Sequence, residues 1–252
     1  MKNRVSVVYS LNIAGYAGSD PDVDTRKKRL STILDRVQKC CEQGTVVCLQ
    51  EVHRDWIECF TETFEKMGYK IFSCLSNKRI DVYLITAVPQ GIEAEEMPIE
   101  IPDGSDQFAL AIKIGDFILI NCHFAVTLKF RMEHTNAIIR FVSKRPENCL
   151  IIGDMNLMGD WGGPDQIKLF EDAGGVDLTR EHHIPDGTMR WFQPYLTDPV
   201  LKKPNYAEII QKSIMLCGAI LFRCANKVQV VAEFLPNRAS DHPGIEIRTT
   251  EF

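Results

Sequence analysis

Short apolar runs rich in valine, isoleucine and leucine recur along the whole chain and constrain its fold more than any other feature. Runs of this length, bounded by glycine, proline or polar residues, are typical of buried β-strands. We count about ten such runs, with about four amphipathic helical patterns between them. This is too many strands for one simple doubly wound sheet. The sequence therefore predicts two β-sheets packed face to face, with helices on the outside.

The two kinds of pattern alternate without a break. We predict helices over 22–43, 55–68, 130–142 and 164–172. We predict strands over 4–13, 45–51, 69–76, 81–88, 107–115, 117–124, 148–155, 214–222, 228–234 and 244–249. No repeat, low-complexity tract or linker rich in proline, glycine or serine interrupts the pattern, so we expect residues 1–252 to form a single domain.

Composition narrows the class of protein. Of the 252 residues, 45% are hydrophobic and 25% charged, which is typical of a folded globular chain. Nine cysteines form no Cys-X-X-Cys pair and mostly lie in apolar runs, which indicates reduced, structural thiols. The net charge of -5 argues against coating nucleic acid by charge alone, although a local basic groove stays open. The start of the chain lacks a signal-peptide core, and no uninterrupted apolar stretch of about 18 residues exists, so we expect an intracellular, soluble protein without a membrane span.

Several predicted strands end in polar residues suited to a metal ion or a phosphate group. They are Asn12, Glu51, His123, Asp154 with Asn156 and, directly before the last predicted strand, Asp241 with His242. Taken singly, each is more typical of a turn or a helix cap than of catalysis. Taken together, they favour a site in which the ends of rigid strands hold functional groups in fixed positions.

Five short motifs give the chain a resemblance to a known family. They are SLN (10–12), LQE (49–51), NCHF (121–124), GDMN (153–156) and SDH (240–242). In this order they resemble the motifs of the endonuclease/exonuclease/phosphatase superfamily, the DNase I-like phosphohydrolases that use divalent metals. The resemblance implies a four-layer α/β/β/α sandwich of two packed mixed β-sheets flanked by helices, with the active site at one edge of the paired sheets. It also implies a metal-dependent phosphoric ester hydrolase that uses magnesium, with manganese as an alternative.

The resemblance assigns metal-binding roles to three residues. Glu51 is implied as the principal ligand, with Asn12 beside it, and Asp241 is implied to reach the metal or its water molecules. Magnesium suits such a site because it prefers oxygen ligands and commonly takes only one or two carboxylates alongside a phosphate.

Catalytic roles are implied for the remaining residues. Asp154 and Asn156 would orient the attacking water and hold a phosphate oxygen or the leaving group. His123 would donate to a non-bridging phosphate oxygen. His242 would act as a general base or, when protonated, stabilise the transition state, since its intrinsic pKa of about 6.5 allows either role.

The chain departs from the family pattern at one position. Family members usually carry an aspartate in the strand region before the last, where it fixes the tautomer of the catalytic histidine. The corresponding stretch here is SIMLCGAILF, with Cys217 at the place of the aspartate. Because a thiol is a poor hydrogen-bond acceptor, we expect either a less basic His242, another carboxylate beside it, or a slow or inactive enzyme.

The segment GDMNLMGD and the LQEV motif resemble those of 5′-tyrosyl-DNA phosphodiesterases. A further segment, GTMRWFQPY (187–195), is similar to a motif of these enzymes, in which Arg190 would contact a phosphate while Trp191 and Phe192 stack on a base or a tyrosyl ring. Packing of the two aromatic residues in a loop is an equally good interpretation. A basic run, Arg26 to Arg29, is interpreted as a solvated helix face, with steering of a phosphate group as the alternative.

Three hypotheses on function follow. The first is a magnesium-dependent phosphodiesterase or nuclease that acts on nucleic-acid ends, with a role in DNA repair. The second keeps the chemistry but changes the substrate to a small phosphorylated metabolite, a phosphoinositide or a lipid headgroup. The third is a weakly active or inactive binding module of the same fold. For each we expect a monomer.

Overall fold

The computed structural model describes residues 5–13, 23–156, 163–179, 217–223, 228–233, 235, 239–240 and 244–249. The strands are β1 (Val7–Asn12), β2 (Val46–His53), β3 (Tyr69–Asn77), β4 (Val82–Pro89), β5 (Ala94–Met97), β6 (Ala109–Ile114), β7 (Phe117–His123), β8 (Asn148–Asp154), β9 (Gly175–Asp177), β10 (Cys217–Phe222), β11 (Val228–Glu233) and β12 (Gly244–Thr249). The helices are α1 (Val23–Glu42), α2 (Arg54–Lys66), α3 (Leu128–Ser143) and α4 (Gly163–Asp172).

The strands form two mixed sheets of six strands each. Sheet A has the order β11-β12-β1-β2-β4-β3, and sheet B has the order β5-β6-β7-β8-β10-β9. Within each sheet one central pair is parallel, β1 with β2 in sheet A and β7 with β8 in sheet B. Because both strands of a parallel pair run the same way, their carboxyl ends lie at the same edge of the sheet.

Three apolar clusters define the layers. One lies between the two sheets and includes Val46 of β2 and Leu119 of β7. A second joins the outer face of sheet A to α1 and α2, and a third joins the outer face of sheet B to α3 and α4. The predicted four-layer α/β/β/α sandwich is therefore confirmed.

The spacing of apolar residues explains why the helices cover the sheets. In α2 the buried residues Trp56, Phe60 and Phe64 recur every four positions and therefore share one face. The helix begins after His53, whose ring accepts a hydrogen bond from the Asp55 backbone N–H at 3.3 Å. This side chain satisfies one of the backbone donors that every helix leaves open at its start.

The predicted elements agree with the structure to within three residues at their described ends, and the structure adds two short strands, β5 and β9. Both lie at the edges of sheet B, where each pairs with a single neighbour. Among the described helices, none is both long and apolar enough to cross a membrane.

The seven cysteines whose side chains the structure describes are free, as predicted, and five of them are buried. Burial raises the pKa of the Cys48 thiol to about 12, so this group stays protonated at neutral pH. A protonated, buried thiol is a poor nucleophile, which agrees with a structural role.

Candidate active site

The face that each central strand turns toward the other sheet changes from apolar to polar along the strand. The inward residues, in chain order, are Val8, Ser10 and Asn12 on β1; Val46, Cys48 and Gln50 on β2; Leu119, Asn121 and His123 on β7; and Leu150, Ile152 and Asp154 on β8. Side chains alternate between the two faces of a strand, so every second residue contributes to this change. The result is a polar cluster at the carboxyl ends of the two parallel pairs.

Glu51 reaches this cluster because β2 bulges. The pairing of β2 with β4 shifts between Leu49, which is opposite Ile85, and Val52, which is opposite Tyr83, so two residues of β2 face one of β4. Glu51 has a φ of 54°, in the left-handed region that residues other than glycine rarely adopt. A regular strand would turn Gln50 and Glu51 to opposite faces, whereas the bulge lets both point toward the gap between the sheets.

Gly153 allows β7 and β8 to approach closely just before the site. Its φ is 142°, and a Cβ atom at this position would lie 2.1 Å from the carbonyl oxygen of Cys122. Any side chain would therefore separate the two strands that carry His123 and Asp154, which face each other in the register. This close approach explains the glycine of the GDMN motif.

Four predicted residues meet at this edge. The Asn12 amide nitrogen donates to Glu51 Oε1 at 3.0 Å and to Asp154 Oδ2 at 2.8 Å, and so bridges the two carboxylates. His123 Nε2 lies 3.5 Å from Glu51 Oε1 and 3.7 Å from Asp154 Oδ2. Asp154 is only 1% exposed, whereas Glu51 and His123 are half-buried. Solvent therefore reaches the cluster from the side of Glu51 and His123.

Asn156 supports the cluster from behind. Its backbone N–H donates to Asp154 Oδ1 at 3.0 Å, and its side-chain amide donates to the Phe124 carbonyl at 2.6 Å. Its own carbonyl accepts a 2.7 Å hydrogen bond from Arg131 of α3, a fully buried side chain. The φ of 49° at Asn156 is left-handed, a conformation that asparagine tolerates better than most residues. In this structure Asn156 therefore holds the loop after β8 against the end of β7.

Ser240 links the SDH motif to the site. Its hydroxyl donates to the Asn12 carbonyl, and Arg29 donates to the carbonyls of Ala239 at 3.1 Å and Ile13 at 3.0 Å. Arg29 is 8% exposed, so the interpretation of the whole basic run as a solvated face was wrong for this residue. Helical spacing could have identified Arg29, because it lies four residues before Ile33 and eight before Val37, on the buried face of α1.

His134 of α3 lies in the helix layer that covers sheet B, and its ring is uncharged at neutral pH. Its ring stacks on Phe108 with centroids 4.0 Å apart, its Nδ1 accepts from the Ala125 N–H at 3.3 Å, and its Nε2 is 2.6 Å from the Ser105 hydroxyl. Burial, with a smaller contribution from His123, lowers the pKa of His134 to about 4. This histidine therefore supports the wall of the site as an uncharged side chain.

The remaining predicted residues lie outside the described residues. They are Asp241, His242, Arg190, Trp191 and Phe192, and their roles stay predictions. The backbone of Cys217 begins β10 directly opposite Asp154 in the register, at the edge of the sheet that carries the cluster. Sequence reasoning missed two buried polar residues beneath the cluster, Gln50 and Asn121, although both stand in the quoted motifs LQE and NCHF.

The arrangement fits a divalent cation. Glu51, His123 and Asp154 each offer one ligand atom, and these atoms all lie within 4.8 Å of one another. Two carboxylates this close repel each other unless a positive charge or a hydrogen-bond donor lies between them, and here Asn12 supplies a donor. Carboxylate oxygens are the ligands that Mg²⁺ and Mn²⁺ prefer, and Glu51 and Asp154 supply them.

Comparison with known proteins gives matches to solved structures alone, since neither a protein-family model nor a curated protein matches the sequence. A truncated form of TDP2 from Caenorhabditis elegans is 20% identical with a TM-score of 0.62, and the match covers 97% of this chain and 96% of that one. The 3′ phosphatase NExo from Neisseria, bound to a product DNA hairpin, is 14% identical with a TM-score of 0.65, covering 97% and 99%. An AP endonuclease from Archaeoglobus fulgidus is 13% identical with a TM-score of 0.64, covering 98% and 100%.

These similarities span nearly the whole chain and agree with two packed six-stranded sheets flanked by helices. The fold is therefore the DNase I-like sandwich of two packed sheets flanked by helices. At 13 to 20% identity, the likeness concerns the fold, and the chemistry has to be argued from the site itself.

Proposed function

We propose that this protein is a magnesium-dependent phosphodiester hydrolase that acts on nucleic-acid ends. One observation carries the proposal, namely that Glu51 of sheet A converges with His123 and Asp154 of sheet B within 4.8 Å at one edge of the fold. The names of the structural neighbours, an AP endonuclease and a 3′ phosphatase bound to DNA among them, support a nucleic-acid substrate. The GDMNL context supports a 5′-tyrosyl adduct as one candidate end.

Glu51 and Asp154 would hold the cation, with Asn12 beside them and Asp241 at its water molecules. A bound Mg²⁺ or Mn²⁺ would supply positive charge to a phosphate oxygen and would make a coordinated water more acidic. Asn12 keeps the two carboxylates in fixed relation by donating to both of them. The charge and position of the metal ligands are thus set before substrate binds, which is the condition for efficient electrostatic catalysis.

Asp154 is the residue best placed to orient the attacking water. Its carboxylate accepts from Asn12 through one oxygen and from the Asn156 N–H through the other, so its direction is fixed on both sides. His123 presents Nε2 from the same edge and would donate to a non-bridging phosphate oxygen. His242 is proposed as the general base or as the cation that stabilises the transition state.

A hydrolysis assay on matched substrates tests the proposal. Wild-type protein would be incubated with a 5′-tyrosyl oligonucleotide, the same oligonucleotide with a plain 5′ end, and a 3′-phosphate form, each with Mg²⁺ or with EDTA. An Asp154→Asn variant purified in parallel controls for contaminating nucleases. We expect cleavage that requires metal and disappears in the variant. If none of the three substrates is cleaved in a metal-dependent way, action on nucleic-acid ends is ruled out.

A small phosphorylated metabolite, phosphoinositide or lipid headgroup is the second candidate substrate. The net charge of -5 favours it, because a protein that binds a long polyanion generally needs a basic face. A phosphate-release screen separates the two candidates, since only the second predicts turnover of substrates that lack a nucleic-acid chain. Failure of both assays in a folded protein would favour a binding module of the same fold.

A further inference from the structure

A buried pair of amide side chains joins the two sheets directly beneath the candidate metal site. Gln50 of sheet A donates from its amide nitrogen to Asn121 Oδ1 of sheet B at 2.7 Å, and also to the Ser10 hydroxyl at 3.0 Å. Both amide residues are fully buried. Burying two amides costs free energy unless they are hydrogen-bonded, so their presence between the sheets needs a reason.

Asn121 also satisfies the backbone that the β2 bulge leaves open. Its amide nitrogen donates to the Ile85 carbonyl at 2.9 Å and to the Leu49 carbonyl at 3.2 Å, with the Thr86 hydroxyl at 3.3 Å. Leu49 and Ile85 are the last paired residues before the bulge. A side chain of sheet B therefore stabilises the irregularity of sheet A that directs Glu51 into the site.

The two amides lie next to or near residues of the candidate site in the sequence. Gln50 directly precedes Glu51, and Asn121 lies two residues before His123 on the same face of β7. Because Glu51 belongs to one sheet while His123 and Asp154 belong to the other, the size of the site depends on how the sheets are held together. Apolar contacts between sheets are non-directional, whereas a 2.7 Å hydrogen bond fixes a distance and an angle.

We infer that Gln50 and Asn121 are positioning residues that set the distance between the metal ligands of the two sheets. This inference rests on the proposed function, since it presumes that the cluster binds a divalent cation. Neither residue needs to touch metal or substrate. Supporting residues of this kind commonly change metal affinity by about 10-fold to 100-fold when they are removed.

The test measures affinity for Mn²⁺, by titration with electron paramagnetic resonance detection of the free ion, without any substrate. Gln50→Met removes the amide while it keeps the length of the side chain, and it leaves the bonds from Asn121 to the backbone in place. We expect binding about 10-fold weaker than in the wild type. Asn121→Leu also releases the bulge, and we expect a still larger loss. Ser10→Ala is the matched control, because it removes the other acceptor of Gln50 within the same sheet, and we expect a change of less than about twofold.

Unfolding in urea with EDTA shows which variants are fully folded at the titration temperature. If Asn121→Leu does not fold, Gln50→Met alone still tests the inference. Both substitutions break the same hydrogen bond between Gln50 and Asn121. In the double variant, the loss of Mn²⁺ affinity should therefore not exceed the product of the two single losses. Wild-type affinity in a folded Gln50→Met variant would overturn the inference. If the wild type itself bound no Mn²⁺, the metal site would fail, and this inference with it.

Discussion

The interface between the two sheets has two parts of different character. Its middle is filled by aliphatic side chains such as Leu119 and Ile152, whereas its end consists of paired amides and carboxylates. In the middle, burial of apolar surface stabilises the fold, and other apolar residues of similar volume would be tolerated. At the end, directional hydrogen bonds join side chains of the two sheets, such as the one from Asn12 to Asp154. The same strands thus stabilise the fold with one half and build the site with the other.

The largest expected effect is that of a substitution at the polar end, which should lower activity while it leaves stability nearly unchanged. Asp154→Asn removes one negative charge from the cluster, and we expect kcat/KM for a cleaved diester to fall roughly 1,000-fold. The free energy of unfolding in EDTA should change by less than about 1 kcal/mol, because the lost charge also relieves repulsion with Glu51. Steady-state kinetics and urea unfolding on the same preparation measure both quantities.

Ile152→Val is the matched control for that variant, two residues earlier on the same face of β8. Loss of one buried methylene should cost about 1 kcal/mol of stability and leave kcat/KM near the wild-type value. A variant of Asp154 that kept a tenth or more of the activity would contradict the assignment of the polar end as the catalytic part.

Gly153 lies where the two parts meet, and its substitution should damage both. A Cβ atom there would be 2.1 Å from the Cys122 carbonyl oxygen, so we expect Gly153→Ala to lower the free energy of unfolding by about 4 kcal/mol. Gly104→Ala is the control, because Gly104 also has a positive φ of 74° but no atom within 4 Å of the added carbon. We expect that variant to lose only about 1 kcal/mol. Equal losses in the two variants would show that backbone conformation, and not the close approach of the strands, explains the glycine.

His134 predicts how stability depends on pH. Its pKa is lowered to about 4 in the folded protein, while an unfolded histidine titrates near 6.5, so the unfolded state binds the proton first as the pH falls. The stabilising contribution is complete above about pH 6.5 and is lost between pH 6.5 and pH 4, with about 2 kcal/mol gone at pH 5. Urea unfolding at pH 7 and pH 5 should show a smaller difference for His134→Gln than for the wild type. If the free energy of unfolding changed equally with pH in the two proteins, protonation of His134 in the folded state would cost no free energy.

The smallest expected effect concerns the departure from the family pattern. Cys217 begins β10 opposite Asp154, and Cys217→Asp would supply the aspartate that the family resemblance leads us to expect here as a partner of His242. We expect a gain in kcat of about 10-fold and a shift of the pH-rate profile, because a hydrogen-bonded histidine is the more basic one. Cys217→Ser is the control without a charge. An unchanged profile in both variants would count against this placement of Cys217.

Much of the fold follows from the sequence, because continuous apolar runs bounded by polar residues leave little choice of structure. Strands such as β7 and β8 are predicted almost to their ends, since burial on both faces requires continuous valine, isoleucine and leucine. The strand β5 was missed because its sequence AEEM contains residues that are poor strand formers, and only its place at an edge makes it a strand.

The site was predicted less completely than the fold. His123 and Asp154 follow obvious strands, so their position could be inferred. Nothing in the letters LQEV indicates the bulge that redirects Glu51, because the bulge is stabilised by Asn121, 70 residues later in the chain. Period-two counting on NCHF could have identified Asn121 as an inward polar residue, but its partners belong to the other sheet.

The pairing of β1 with β12 has a consequence for when the protein acquires its chemistry. Asn12 lies on β1, which is held between β2 and the last strand, so sheet A is complete only when the two ends of the fold have met. A partly folded or shortened chain that lacks β12 would therefore contain each ligand but no site. If the cluster has the proposed function, activity should appear in a single step at the end of folding, and incomplete chains should not hydrolyse phosphodiesters.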